Sequence, residues 1–444
     1  MNKVQVFSIS ENKSFKSARN PKAGQYRVKW RVQGRDKTRS FRTKGQAEHF
    51  RRKLLTSLEN GATFDPSTGL PLIWTQQHKS FAEVAQEYVA LFWSSHEYAS
   101  LRSTVEALSY SVIHLTRGNN HFTFSELTRA AKYFILHPCF KEMPSAKEIE
   151  VREWIMKNSL KLSEINEGKI NILLEKLRRS CDGERLLTPS TLKKRRQALH
   201  ATLELAVRQN YLKANPLMGS LFKKAAVEGA VNPKQILTPD ECREHVELLD
   251  SQGEGGQRVG TFVSLIWLAG LRPGEALGLR KKDLVLLKRN PHILVSQNVV
   301  QVGKAWTSNG DSQVVKQPKS RAVGSLRIVP IPEELRSRLR KLVKTLDVND
   351  LLFANRTGDR PLSLTVFEDA WVNVRKKSTR LYDLRHSNAS ILIYSGLNII
   401  EVAARLGHSV NVCARTYLHV LHSHDATSNA QVNVFLNKSK KRKN

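Results

Sequence analysis

Ala269-Gly270-Leu271-Arg272-Pro273-Gly274-Glu275-Ala276-Leu277 sets an arginine directly behind the apolar run Thr261–Leu271, with an acid three residues further on. Later in the chain Tyr382-Asp383-Leu384-Arg385-His386 offers a second arginine, and Leu406-Gly407-His408-Ser409 a histidine behind a glycine. Tyr417 closes the series nine residues after His408. Taken singly these are weak signals, because a lone arginine or histidine is usually a surface residue and a helical tyrosine usually fills core. Their order and spacing carry the information.

The charge balance says what such a series would act on. The chain has 444 residues, with 72 Lys and Arg against 40 Asp and Glu, a formal charge of +32. That much positive charge attracts a polyanion, and nucleic acid is the usual one. The longest apolar run is about half of the ~20 residues that cross a bilayer, and the opening residues lack the apolar stretch of a secretory signal. A non-exported, non-membrane protein is therefore expected. The four cysteines, Cys139, Cys181, Cys242 and Cys413, are far apart, which excludes a zinc finger or a disulfide scaffold and fits a reducing compartment.

A chain this long divides into several domains. Tyr26–Val32 alternates apolar and basic residues, the period of a strand with one buried face. Residues 33–37 read as a turn, Thr38–Thr43 as the returning strand, and Gly45–Leu55 as a short helix. Arg27, Lys29, Arg31, Arg35, Lys37, Arg39, Arg42 and Lys44 face a single acid, Asp36, so this small sheet is expected to present a cationic face to DNA. Residues 1–58 form this domain and 59–79 a linker rich in Gly, Pro, Asn and Ser.

Ser80 and Glu83 make a capping box that opens a helical domain over 80–218. Its last helix starts at Thr188-Pro189, and Lys193, Lys194, Arg195 and Arg196 sit beside its apolar face as further candidate DNA contacts. A second linker spans 219–237. Thr238-Pro239 opens the last domain, 238–437, in which helix, short strands (Ile293–Val302, Gln313–Lys316, Leu326–Ile331) and more helix predict an α+β fold. The tail 438–444 is a basic charge run.

Four stretches of this last domain, GLRPGEALGL, PKSRAVGSLRIVPIP, YDLRHSNAS and LGHSVNVCARTYLH, together resemble the catalytic domain of tyrosine recombinases, the phage integrase family. The N-terminal sheet and helix resemble that family's arm-type DNA-binding domain, and the helical middle resembles its core-binding domain. The fold class implied is multidomain: a small sheet plus helix, an all-α domain, and an α+β catalytic domain.

The resemblance assigns roles. Arg272 and Arg385 would clamp the nonbridging oxygens of a DNA phosphodiester, remaining charged and standing in for a metal ion. His408 would hydrogen-bond the phosphate, turned out of its helix by Gly407 in the left-handed conformation. Tyr417 would attack to give a 3′-phosphotyrosine, and Lys319, with Lys316 as the alternative, would protonate the 5′ leaving oxygen. Glu275 would support the catalytic side chains. The family usually has His where this chain has Tyr382, a weak base; His386 reads as helix packing, and Cys413 likewise.

No cofactor and no metal is expected. The implied partners are double-stranded attachment-site DNA, three further copies of the chain in a homotetramer on DNA, and DNA-bending and directionality factors. The implied location is a bacterial cytoplasm, with the nucleoid, and residues Ala430–Leu436 would pack on a neighbouring protomer. Two other readings remain at this point, a type IB topoisomerase-like enzyme and a non-catalytic DNA-binding protein with a degenerate site.

Overall fold

The fold begins with the alternation at Tyr26–Val32. In a computed structural model that describes residues 4–11, 26–71, 74, 79–180, 184–219, 235–316 and 326–422, this stretch is the central strand β3 of an antiparallel sheet. Strands β1 (Val4–Val6) and β2 (Ser10–Glu11) pair along one edge of β3, and β4 (Arg35–Phe41) along the other. Val28, Trp30 and Val32 are buried against Ala47, Phe50 and Leu54 of α1 (Lys44–Glu59). The β3–β4 turn is shorter than expected. Gln33 and Gly34 both have positive φ (50° and 82°), the two-residue hairpin turn whose twist matches its strands, so Arg35, Asp36 and Lys37 already lie in β4.

That register corrects the expected single cationic face. Arg27, Lys29 and Arg31 pair across the ladder with Ser40, Thr38 and Asp36, and so share one side of the sheet. Arg35, Lys37 and Arg39 pair with Val32, Trp30 and Val28 and stand on the other side, that of the core. There Arg39 lies over the rings of Phe41 and Phe50, 5.6 and 5.1 Å from their centroids. On the first side Asp36 binds both Lys29 (2.8 Å) and Arg31 (2.6 Å), offsetting part of its charge.

Helices follow: α2 (Phe81–Trp93), α3 (Tyr98–His114), α4 (Phe124–Arg129, running on into a π-helical turn Ala130–Leu136), α5 (Ala146–Asn158), α6 (Glu167–Leu177) and α7 (Pro189–Arg208). Both arms of the Ser80–Glu83 capping box form, and Thr188 caps α7 ahead of Pro189. Arg195 departs from expectation as a DNA contact. It is buried on the apolar face of α7, donates to the carbonyls of Leu177 (2.9 Å) and Arg179 (3.2 Å), and its guanidinium stacks 3.5 Å from the ring centroid of Tyr110. A guanidinium so engaged holds α6 to α7. Lys193 and Lys194 remain exposed, and Arg196 is half-buried.

All of these elements fall in one unit, Met1–Ala226; the second unit is Val227–Asn444. The second opens with α8 (Pro239–Asp250), capped by Thr238 and Glu241, and α9 (Gly253–Ala269), whose stretch from Gly260 to Trp267 is buried. A short α10 (Pro273–Leu277) leads into the strands. β5 (Leu284–Val285), β6 (His292–Val295) and β9 (Arg327–Pro330) form one antiparallel sheet in the order β5-β6-β9; β7 (Asn298–Gln301) and β8 (Gln313–Lys316) form a separate ribbon. The single strand expected over Ile293–Val302 is thus two strands, because its halves pair with different partners and the chain changes sheets between Val295 and Asn298.

The remaining helices are α11 (Glu333–Leu342), α12 (Leu364–Val374), α13 (Asp383–Tyr394), α14 (Ile399–Leu406) and α15 (Val410–His422). The core of this unit gathers around Phe262, stacked 3.8 Å from Phe367 and edge-on to Phe353 at 5.1 Å. A smaller core joins α13, α14 and α15 through Ala389, Leu392, Val402, Leu406, Cys413 and Tyr417. Lys319, Ala430–Leu436, the tail 438–444 and most of the linker 219–237 lie outside the described residues. No described helix is long and apolar enough to cross a membrane.

Phe367 is fully buried in that aromatic stack. Phe367→Ala is expected to remove about 3–5 kcal/mol from the unit that contains it, read as a lowered denaturant midpoint of that unit.

Candidate active site

A turn that only glycine fits starts the site. Gly270 ends α9 in the left-handed conformation (φ 63°), and a Cβ there would collide with Oδ1 of Asn388. The chain can then turn sharply, so that Arg272 takes the extended N-cap position of α10 with Pro273 at the first helical position. Glu275 reaches back, accepting from the Arg272 backbone N–H (2.9 Å) and from Arg272 Nη1 (2.7 Å).

Glu275 is only 2% exposed and is shared by a second arginine. Arg327 Nη2 donates to Glu275 Oε2 at 2.5 Å, and Arg385 Nη1 lies 4.0 Å from the same oxygen. Burial by itself would raise the Glu275 pKa; Arg327, Arg272 and Arg385 outweigh it and hold the carboxyl below its ordinary value.

The guanidiniums also converge on the end of α14. Arg272 Nη2 donates to the Gly407 carbonyl (3.0 Å), and Arg385 Nη2 and Arg327 Nη1 donate to that of Leu406. Arg385 Nη1 donates to the carbonyl of Gly270, tying the two glycine turns together. Gly407 has φ 67°, as expected, and a Cβ there would strike Arg327.

His408 therefore leaves the helix line and meets Arg385, whose Nη2 lies 2.9 Å from His408 Nε2. Burial first, then Arg385 and Arg272, lower the His408 pKa to about 3. The imidazole is neutral at working pH. Because a guanidinium can only donate, Nε2 accepts and the ring proton belongs on Nδ1. Burial and Arg272 likewise bring Arg385 down to about 10, still cationic at neutral pH.

Tyr417 lies on α15, fully buried, with its hydroxyl 2.9 Å from Nδ1 of His386. Burial raises its pKa well above the usual phenol value, partly offset by Arg385. Cys413 packs in the same small core, and burial pushes its thiol up to about 11. Tyr382 stands just before α13 with its ring edge-on to His386, centroids 5.4 Å apart. Lys316 ends β8, paired with Asn298 of β7. Among the described residues no group of three or more His, Cys, Asp or Glu side chains is gathered to hold a metal.

Residues 235–424 match the phage integrase family. Through this segment, which is less than half of its length, the chain is similar to that family. It is 26% identical over 257 residues to a tyrosine recombinase XerC-like protein of Caldanaerobacter subterraneus, covering 52% of this chain and 62% of that protein. It is 27% identical over 243 residues to the ICEBs1 integrase of Bacillus subtilis, covering 50% and 60%. The match thus spans about 60% of these relatives' length. A solved structure of the Tn1549 transposon integrase with transposon right-end DNA aligns with a TM-score of 0.47 and 18% identity, over 70% of this chain and 94% of that one.

In the matched segment the structure gathers Arg272, Glu275, Arg385 and His408 around one point, with Tyr417 in the adjoining core. Two members escaped sequence reading. Arg327 lies in the stretch PKSRAVGSLRIVPIP with no role assigned to it, and the signal for it is its place at the start of β9, where an arginine beginning a partly buried strand needs a counter-charge. His386 had been assigned to packing, yet it touches the tyrosine hydroxyl; its spacing of one turn from Tyr382 was the available clue.

The buried carboxylate makes a pH-dependent prediction. Its folded pKa is depressed, so its contribution is complete above the unfolded value of about 4.5 and is lost as pH falls through the lower folded value. Glu275→Gln should remove about 3–5 kcal/mol at pH 7, leaving buried guanidiniums uncompensated. The gap between parent and variant in denaturant midpoint should narrow as the pH is taken below 4.

Proposed function

We propose that the chain is a site-specific DNA recombinase, an integrase that cleaves and rejoins DNA through a 3′-phosphotyrosine. The observation that carries this reading is the convergence of Arg272, Arg385 and neutral His408 on the turn at Gly407, one helix away from a tyrosine. Three guanidiniums against one carboxylate leave an excess of positive charge where a phosphodiester would sit. Arg272, a third exposed, and the half-buried His408 reach the surface; Arg385 adds its charge from beneath.

In the proposed step Tyr417 Oη bonds to phosphorus and the P–O5′ bond breaks. Lys319 or Lys316 supplies the proton to O5′, leaving a free 5′-hydroxyl. The phosphotyrosine keeps the bond energy, so a different 5′-hydroxyl reverses the step and strands are exchanged without ATP. Integration or excision of a phage or other mobile element follows from exchange between two sites.

The domain layout supports two-site binding. The N-terminal sheet carries Arg27, Lys29, Arg31, Arg35, Lys37 and Arg39, with Arg42 just past its last strand, and α7 carries exposed Lys193 and Lys194 with Arg196 beside them. One such region on an arm site and one on a core site would raise the affinity of each through the linker. Four protomers on two duplexes, helped by DNA-bending and directionality factors inside a bacterial cell, complete the proposal.

The test is a nicked duplex from which the cleaved fragment diffuses away. The parent chain should accumulate a covalent adduct in EDTA, and Tyr417→Phe should form none. Arg272→Ala and Arg385→Ala should each lower the rate by about 100-fold or more. An adduct that Tyr417→Phe still formed, or one abolished by EDTA, would contradict the assignment. With two differently marked duplexes, exchanged products separate a recombinase from a topoisomerase-like enzyme, and the absence of any adduct would point to a non-catalytic DNA-binding protein. Duplex affinity should fall steeply with salt.

A further inference from the structure

Tyr417 would need to lose a proton to attack phosphorus, and its burial makes the free phenolate costly. The group in position to take that proton is His386. Its Nδ1 is 2.9 Å from Tyr417 Oη, within the 2.6–3.2 Å span expected of a nucleophile and its base, with the ring centroids 5.8 Å apart. His386 stands on α13 four residues beyond Tyr382, so the two rings share one face of the chain and meet edge to face at 5.4 Å. Tyr382, a phenol, is itself a poor base; its ring walls one side of the imidazole.

We infer that His386 is a catalytic residue, the proton acceptor for Tyr417 in strand cleavage. This rests on the phosphotyrosine chemistry proposed above. As the Oη–P bond forms, the Oη proton passes to Nδ1 and gives an imidazolium. O5′ leaves with a proton from the lysine, so each proton has a donor and an acceptor and no oxidant or metal is required. In rejoining, O5′ attacks phosphorus, the Oη–P bond breaks, and the imidazolium returns its proton to Tyr417. His386 and His408 thus divide the work: His408 stays neutral against Arg385, and His386 cycles between its two protonation states.

The test is single-turnover adduct formation by the full-length chain on the nicked duplex. Parent, Tyr417→Phe, His386→Asn and His386→Ala are compared at saturating DNA. Each is run on ordinary DNA and on DNA with sulfur in place of the bridging O5′, because a thiolate leaves without being protonated. Asn offers an acceptor oxygen near the place of Nδ1 but no useful basicity, so it keeps the positioning contact and removes only the base.

Both His386 variants are expected to form adduct at least about 100-fold more slowly, and the sulfur substrate should not restore either. Parent-like rates in His386→Asn would overturn the inference in favour of a positioning contact. Recovery on the sulfur substrate would overturn it by placing His386 on the leaving-group side. Faster cleavage by His386→Ala would overturn it by making the imidazole a restraint on Tyr417. The parent and Tyr417→Phe are read first: no Tyr417-dependent adduct in the parent would overturn the recombinase reading itself, whereas a normal parent with normal His386 variants would overturn only this inference.

Discussion

The buried carboxylate of Glu275 is the constraint on which the site depends. Guanidiniums repel one another and resist burial, and a fully covered arginine such as Arg385 is tolerable only where its N–H groups and its charge are met. Glu275 meets the charge of Arg327 and Arg272 directly and that of Arg385 at 4.0 Å, while the carbonyls of Gly270, Leu406 and Gly407 take Nη donors of these arginines. One negative charge against three positive ones holds the cluster together without neutralising it. The surplus is what a phosphodiester would complete.

Both glycine turns serve that cluster. Gly270 and Gly407 adopt left-handed φ at the ends of α9 and α14 and present carbonyls to Arg385 and Arg272; a Cβ at Gly270 would strike Asn388 and Leu406, and one at Gly407 would strike Arg327. Helices distant in sequence are thereby pinned through polar contacts at their ends, while Phe262, Phe353 and Phe367 pack the interior of the same unit. The position of His408 follows from these two facts, and so does its tautomer.

Much of this was legible in the sequence, and the reasons differ by residue. Capping boxes at Ser80 and Thr238 announced helices α2 and α8, since a cap is a local interaction between neighbouring residues. The strand Tyr26–Val32 was legible through its alternation, and Gly407 through the need for a left-handed exit. Long-range facts were not. The split of Ile293–Val302 depends on which strands pair, and the burial of Arg195 depends on where Leu177, Arg179 and Tyr110 arrive. The core-side placement of Arg35, Lys37 and Arg39 depends on a turn two residues long instead of five, which shifts every side chain of β4. His386 and Arg327 belong to the same class, because their partners lie on other elements.

The central claim is that Tyr417 becomes esterified to a DNA strand. Peptide mass spectrometry of the covalent adduct, after nuclease trimming and proteolysis, measures this directly. The expected result is a nucleotide phosphate carried on the peptide that contains Tyr417, attached at that residue. A phosphonucleotide on Tyr382, Tyr394 or any other side chain, or a DNA end held by no covalent bond, would contradict it.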